Sequence, residues 1–528
     1  MSAAVGTGTL VRFFLRRDRW TLAAWVLGGA VLYWSQAVGL AQTYPTQAAL
    51  DRAAASMGGN AALVAMTGPA RALDTLGGQV AWQVSAYGAI LAGLMSMFLV
   101  GRHTRAEEET GRDELVRSGV VGRHAPVLAT VVVVALANLL LALGVAVSLV
   151  ASDLPGAGSW ALGVAAGVAG LVFGGVALVA AQLTQGVRSV YGITASALGV
   201  AYVLRAIGDV SSGIASWLSP IGWGQAMRAY AGEVWWPAAL SVAVAGGLWL
   251  VAVRVLDHRD IGHGLWPARP GPARAGRGLR GSLGLAWRLQ RGALAGWAAG
   301  LLLMGLAYGS IGSDVRGALG DSSEVTEMMA QAGGPLVDSF YATACLLLAL
   351  VAGGYAVQAG LRASGEEGAG RVESLLAAGL PRWRWLTGHV AVALAGTGLV
   401  VVLGGLGAGV GYGATTGDWT RVGPLTAATV AYLPAVWALV AVTVALYGLV
   451  GRWALLGWAG LAFCAAVMLF GPLLQLPAWV LDLSPFGHVP MLPVAALSWP
   501  ALLELLVAVA VLLAVGVVAF RRRDVRTA

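Results

Sequence analysis

Two short polar segments stand out in an otherwise apolar chain, and each concentrates carboxylate, glycine and arginine side chains. Their sequences are EEETGRDEL and EEGAGRVESL. Acidic residues early in a short helix and basic residues later suit the helix dipole, so each segment could simply stabilise a surface helix. The repetition of the pattern favours docking of a cytoplasmic partner instead. The predicted docking residues are Glu107, Glu108, Gly111, Arg112, Glu114, Glu366, Glu367, Gly370, Arg371 and Glu373.

The rest of the chain is too apolar for a water-soluble protein. It has 528 residues, of which 58% are hydrophobic and 11% charged. Apolar stretches long enough to cross a bilayer recur along its whole length, which leaves no room for a separate catalytic domain. The sequence therefore predicts an all-α membrane protein with twelve transmembrane helices. The predicted spans are 21–40, 79–101, 125–151, 160–183, 189–208, 236–256, 293–312, 339–361, 389–413, 425–449, 453–472 and 500–520.

The basic residues predict the orientation of these spans. All 33 are arginines, and they lie mostly between the apolar stretches, as expected for topology signals rather than for a nucleic-acid site. A cytoplasmic N-terminus leaves few arginines outside, and the arginine-rich C-terminal tail is then also cytoplasmic after an even number of crossings. We expect a multi-pass protein of the cell membrane. The outer arginines would be Arg52, Arg71, Arg205, Arg228, Arg316 and Arg421.

The chain repeats itself. Arg19–Trp25 (RWTLAAW) matches Arg291–Trp297 (RGALAGW), and the pair Arg259-Asp260 matches Arg523-Asp524. The polar segments match in the same order, so the sequence predicts two parallel six-helix halves. Their predicted bounds are 1–256 and 292–528, joined by a cytoplasmic linker rich in Arg, Gly and Pro and an interfacial helix at 257–291.

A second repeated element, L-S-P-x-G, precedes the last span of each half on the predicted outer face. Nearby tryptophans favour a short helix at the outer membrane interface. Its residues are Ser219, Pro220, Gly222, Ser484, Pro485 and Gly487.

The polar segments resemble a known loop. The core E-x(2)-G-x(2)-E, followed in the second half by Leu375, Leu376 and Pro381, looks like the loop after the second span of type-2 ATP-binding-cassette exporter permeases. The chain is similar to the fused branch of that family, which exports polyketide antibiotics and other drugs. The resemblance implies that each loop is a coupling helix docked on an ATPase subunit, and that L-S-P-x-G forms part of an extracellular gate.

Nucleotide chemistry must come from elsewhere. The chain has no G-x(4)-G-K-[ST] motif and no lysine at all, so it cannot supply a P-loop. The resemblance therefore implies a separate ATPase partner, two copies per chain, which binds ATP and Mg²⁺. The six histidines show no metal-ligand spacing, and Cys345 and Cys464 lie in apolar stretches as expected for buried thiols.

The predicted function is the permease of an ATP-driven exporter that extrudes amphipathic small molecules such as antibiotics or drugs; the chain itself is not an enzyme. The alternative is an ion-coupled secondary transporter of two six-helix halves, which would need a membrane-centred carboxylate relay. Only Glu504 points that way. A membrane-embedded enzyme would need a clustered nucleophile, base or metal set, and the sequence offers none.

Overall fold

The structure, a computed structural model, forms only helices, turns and loops in the residues that it describes. These are residues 3–57, 61–260, 262–266, 273–274, 276–279, 281–319, 336–470 and 477–524. The chain divides into two compact units, Met1–Pro270 and Gly271–Ala528, which we call the first half and the second half.

Each half combines long apolar helices with several short helices. In the first half the helices are α1 (Thr7–Thr43), α2 (Gln47–Met57), α3 (Ala61–Thr67), α4 (Leu76–His103), α5 (Arg105–Glu109), α6 (Arg112–Arg117), α7 (Ala125–Val150), α8 (Gly156–Leu183), α9 (Val187–Asp209), α10 (Pro220–Ala226) and α11 (Trp236–Asp257). In the second half they are α12 (Ser282–Leu319), α13 (Leu336–Gly360), α14 (Arg362–Gly368), α15 (Arg371–Ala377), α16 (Arg382–Thr416), α17 (Val422–Val430), α18 (Leu433–Leu449), α19 (Leu456–Phe470), α20 (Ala478–Asp482) and α21 (Trp499–Arg522).

The predicted all-helical, twelve-span architecture is confirmed. Within the described residues, twelve helical segments are long and apolar enough to cross a membrane, six in each half. Helices suit this environment because they satisfy their backbone hydrogen bonds internally where lipid offers no partners. The spans are α1, α4, α7, α8, α9 and α11 in the first half, and α12, α13, α16, α17 with α18, α19 and α21 in the second.

The second and fourth spans form the centre of each half. Helices α4 and α8 are the most buried spans of the first half, and α8 also packs against α7 and α11. Helices α13 and α18 are their counterparts in the second half, where α18 packs against α21. The loops that follow the second span therefore start from one of the two most buried helices of each half.

Glycines bring α16 and α12 into close contact. A Cβ atom on Gly407 would lie 2.3 Å from the carbonyl oxygen of Leu302, and one on Gly411 would lie 2.3 Å from that of Leu306. Only glycine permits such an approach, as is usual where membrane helices pack through small residues. These glycines of α16 thus form a surface on which α12 packs.

Two boundaries differ from the sequence prediction. The predicted span 425–449 is interrupted between α17 and α18, because Pro434 in the first turn of α18 lacks a backbone donor and cannot continue a preceding helix. The interfacial helix predicted at the end of 257–291 and the matching segment before the first span of the first half are each continuous with the span that follows. They are the opening turns of α1 and α12, and the 37 residues of α1 extend about 55 Å, well beyond a hydrocarbon core of about 30 Å.

Candidate functional site

The two predicted docking loops share one backbone design. In each, a short helix follows the second span, a glycine turns the chain, and a second short helix begins. Gly111 has φ 70° and precedes α6, and Gly370 has φ 69° and precedes α15. This left-handed conformation strains any residue with a Cβ atom, which gives a physical reason for glycine at this motif position.

In the first half, Glu108 is tied to the end of the last span. Its carboxylate accepts hydrogen bonds from Arg259 Nη2 at 2.7 Å and Nη1 at 3.2 Å, and from Arg105 Nη1 at 2.6 Å. Arg259 Nε donates to Gln182 Oε1 at 2.8 Å. The loop, the fourth span and the end of the sixth span are thereby joined by one polar network.

The second half repeats the arrangement. Arg523 donates from Nη1 to Glu367 Oε1 at 2.9 Å and from Nη2 to Oε2 at 2.6 Å, a bidentate pair. The Tyr447 hydroxyl donates to Glu367 Oε2 at 2.6 Å. Tyr447 lies in the last turn of the fourth span, as Gln182 does in the first half. Both halves therefore tie the same three elements together, and we call each network the loop clamp.

A further pair of arginines strengthens each loop clamp. Arg123, just before the third span, donates to the carbonyl oxygens of Leu256 at 2.9 Å and Arg259 at 2.7 Å. Arg382, at the start of the third span of the second half, donates to the carbonyl oxygen of Arg523 at 2.8 Å. Positive charge is favourable at the C-terminal end of a helix, where carbonyl groups lack intrahelical partners.

The neighbouring carboxylates also face inward. Glu107 accepts a hydrogen bond from Arg17 Nη1 at 2.6 Å. Glu366 pairs with Arg362 at 2.8 Å and with Arg371 at 2.7 Å. The hydrogen bond to Glu366 raises the pKa of the Arg371 guanidinium. The paired glutamates of each loop thus form ion pairs with arginines of their own half, and these ion pairs fix the position of the loop.

The outward-facing residues of the two loops are different ones. Arg112 and Glu114 on α6 and Glu373 on α15 are exposed, as is much of Arg371. Leu115 has 76% of its surface exposed at the tip of the first loop. The predicted docking set therefore divides into buried or half-buried carboxylates that hold the loop and side chains that are exposed.

Sequence reasoning missed a buried ion cluster in the first half. The Asp18 carboxylate lies 2.5 Å from His103 Nε2 and 2.7 Å from Arg102 Nη2, with Arg17 at 3.5 Å. His103 also stacks on Phe14 at 4.3 Å between ring centroids. The only sequence signal was an acidic residue, Asp18, three residues before the first predicted span.

The L-S-P-x-G elements begin in the same way. Ser219 and Ser484 are buried and have extended backbones, and each is followed by a proline in the first helical position. Extended geometry is what a residue before proline prefers, and proline is favoured where a helix starts. The Ser219 side chain accepts hydrogen bonds from the backbone of Ile221 and Gly222.

The two elements differ in how they continue. Pro220 opens the α-helix α10, whereas Pro485 opens a short 3₁₀-helix. A Cβ on Gly222 would lie 2.2 Å from the carbonyl oxygen of Ser216, while one on Gly487 would have its nearest neighbour at 3.4 Å. Glycine is therefore required at the first position but not at the second.

No group of three or more His, Cys, Asp and Glu side chains in the described part of the chain could hold a metal ion. Cys345 and Cys464 are both buried free thiols. The polar groups of the two halves are engaged mainly in ion pairs and hydrogen bonds that join helices.

The fold and these networks define a polytopic helical permease with two similarly built halves. The chain is 41% identical over 529 residues to the multidrug efflux system permease protein Rv1217c of Mycobacterium tuberculosis, an alignment that covers 99% of this chain and 96% of that protein. The sequence model of the family described as "Multidrug efflux system permease Rv1217c, C-terminal domain" matches residues 279–521. The chain belongs to this family of multidrug efflux permeases, and it is a multi-pass membrane transport permease.

Proposed function

We propose that this permease is the membrane subunit of an ATP-driven exporter of amphipathic small molecules, and that a separate ATP-binding-cassette subunit moves its two loops. The duplicated loop clamp carries the proposal. In both halves the first short helix of the loop is fixed to the end of the last span by a largely buried carboxylate–arginine pair, and the second short helix exposes polar side chains. A loop built in this way suits the transmission of force from a partner to the membrane helices.

The loop clamp favours transmission because it is stiff. Glu367 is 4% exposed and bound by a bidentate arginine and a tyrosine hydroxyl, so displacing the loop without its helices would uncover a buried charge. Movement of α14, which carries Glu367, therefore displaces the C-terminal end of α21 and the last turn of α18 with it. Alternation between closed and outward-opening arrangements would then follow ATP binding and release by the partner.

ATP and Mg²⁺ belong to the partner in this proposal. The chain has no lysine for a P-loop, and two loops call for two ATPase copies. Both loops and both termini would face the cytoplasm, in agreement with the distribution of arginines. On the opposite side, the Ser219-Pro220 and Ser484-Pro485 elements would form part of the outer gate.

The cargo follows from the polarity of the spans. Polar side chains inside the helical halves are largely engaged with protein groups; Asn138, for instance, donates to Ser96 Oγ and to the carbonyl oxygen of Val134, each at 2.9 Å. Few polar side chains are left to bind a charged substrate. An apolar pathway with loose selectivity therefore suits drug-like amphipathic molecules. The relative from M. tuberculosis is itself named as a multidrug efflux permease.

Charge reversal on the exposed loop faces tests the docking step. The double variant Glu114→Arg/Glu373→Arg alters both faces without touching a loop clamp. We expect normal membrane insertion, but loss of co-purification with the ATPase subunit and loss of its stimulation. Asp482→Arg, an exposed reversal on the predicted outer side, is the matched control. Unchanged ATPase stimulation and export in the double variant would refute docking at these loops.

One observation favours the alternative, a proton-coupled transporter. The Asp18–His103 pair is a buried carboxylate–imidazole contact at 2.5 Å, and both side-chain types can carry protons in transporters. It lies beside the loop end of the second span, however, and two arginines already compensate its carboxylate. Export that an uncoupler abolishes, and that persists when the ATPase subunit is inactivated, would decide for proton coupling.

A further inference from the structure

The second half contains a cavity where the first half has an ion pair. Asp18 directly precedes the Arg19–Trp25 match, and Gln290 holds the corresponding place before Arg291–Trp297. His103 and Arg362 likewise each lie four residues before the first glutamate of their loops. In the first half the two positions meet at 2.5 Å.

In the second half these two positions do not bond to each other. Arg362 pairs with Glu366 at 2.8 Å. Gln290 is 4% exposed, and neither its amide oxygen nor its amide nitrogen has a hydrogen-bond partner among the described residues. Both residues line a cavity of about 200 Å³ between α12 and the loop end of α13.

The walls of this cavity are mainly apolar. They include the methyl groups of Ala293 and Ala359, the side chain of Leu361 and the ring of Tyr355. The other polar side chains of the lining are those of Tyr355, Gln358 and Arg362. Gln358 already accepts a hydrogen bond from Trp297 Nε1 at 2.6 Å, and Arg362 pairs with Glu366. An amide buried without a partner is unfavourable, so the site favours a ligand that supplies a donor and an acceptor to Gln290 and fills the apolar remainder.

The charges select a neutral ligand. Replacement of the first half's Asp18 by Gln290 removes the carboxylate that would hold a cation. The Arg362 guanidinium is already compensated by Glu366, so an anion would have to displace a protein carboxylate. The volume fits the ring-and-amide portion of a drug-sized molecule, since complete drug sites measure about 300–1,000 Å³.

We infer that the Gln290 cavity binds a neutral amphipathic molecule through an amide or hydroxyl group, as a contact site for cargo on the predicted cytoplasmic side of the second half. The cargo role rests on the proposed export function. Binding itself does not require the ATPase, so it can be measured on the chain alone.

The test uses tritiated chloramphenicol, a neutral amphipathic compound with an amide and hydroxyl groups. Equilibrium binding is measured to the purified full-length chain in phosphatidylcholine nanodiscs, without an ATPase. We expect saturable binding that Gln290→Leu weakens at least about tenfold. The same variant should keep or raise the melting temperature, because it removes a buried amide that bonds to no described residue.

A second variant fills the cavity from an exposed position, so it does not threaten folding. Ala293→Trp should abolish binding, whereas Thr21→Trp, at the corresponding exposed position of the first half, should leave it within about twofold of the unaltered chain. Absence of saturable binding would overturn the inference, as would equal binding by both tryptophan variants. Binding lost in phosphatidylglycerol nanodiscs and insensitive to Gln290→Leu would mean that an anionic headgroup occupies the cavity, which also overturns it.

Reconstitution with the ATPase subunit separates this inference from the proposed function. If the complex exports in an ATP-dependent way but neither Gln290→Leu nor Ala293→Trp changes chloramphenicol binding, the inference about the cavity is refuted and the proposed function stands. If both variants reduce chloramphenicol binding but export does not need ATP, the proposed ATP-driven function is refuted and the inference about the cavity stands.

Discussion

Neutralising Glu367 should release the second loop from the last span. The substitution Glu367→Gln keeps the size of the side chain and one carbonyl oxygen, but removes the charge that two nitrogens of Arg523 contact at 2.9 and 2.6 Å. The Arg523 side chain is 15% exposed, so water relieves only part of its lost pairing. Removal of one partner of a buried pair costs about 3–5 kcal/mol, and we discount this to about 2 kcal/mol for the partial exposure.

A loss of about 2 kcal/mol corresponds to an opening of the loop about 30 times more frequent. Hydrogen–deuterium exchange of peptides from residues 362–377, measured in nanodiscs, reports such local opening directly. Arg523→Gln should produce a similar increase. The double variant should cost less than the two single ones together, because neither charge is then left unpaired.

The matched control is Glu373→Gln, which removes an exposed carboxylate from the same loop. If Glu367→Gln exchanged no faster than this control, the stiffness of the loop clamp would be refuted. In the ATPase complex, Glu108→Gln combined with Glu367→Gln should insert normally yet couple ATP hydrolysis poorly to export. Full coupling in that variant would contradict transmission through the two clamps.

Three further substitutions test other parts of the structure. Gly370→Ala forces a left-handed residue with a Cβ and should lower the stability of its loop by about 1–2 kcal/mol in exchange measurements, while Gly368→Ala, whose Cβ meets open space, serves as the control. Gly222→Ala should lower the melting temperature and Gly487→Ala should not, because only the first Cβ collides with backbone; equal melting temperatures would contradict this. Asp18→Asn removes the charge that balances two neighbouring arginines and should destabilise the protein by about 3 kcal/mol in denaturant unfolding, yet ATP-driven export should continue if the contact of Asp18 with His103 is structural.

Sequence patterns predicted the spans well because each crossing must contain a long apolar helix. They were less accurate where local chemistry competed with hydropathy. The fourth span of the second half breaks before Pro434, and the segment ahead of the first span continues into α1 without a break. Hydropathy measures how apolar a segment is, and it cannot show where a helix kinks or how far it extends into water.

Single residues of the docking loops show the same limit of prediction from sequence. Glycine at positions 111 and 370 was visible as a repeated motif, and its left-handed conformation explains it. The sequence could not show that Glu108 and Glu367 face inward while Glu114 faces outward. The repeated Arg-Asp pair after each last span was the one available signal of the loop clamp. The glutamate that pairs with each of these arginines could not be predicted from residue spacing.

The sequence by itself determined the number of spans, the two-fold repeat and the turns at glycine and proline, because these depend on local hydropathy and backbone conformation. Tertiary structure alone decided which charges meet. Glu108 and Arg259 are 151 residues apart and Glu367 and Arg523 are 156 apart, so only the packing of the spans brings each pair together. The same packing joins Asp18 to His103 in one half and leaves Gln290 beside a cavity in the other.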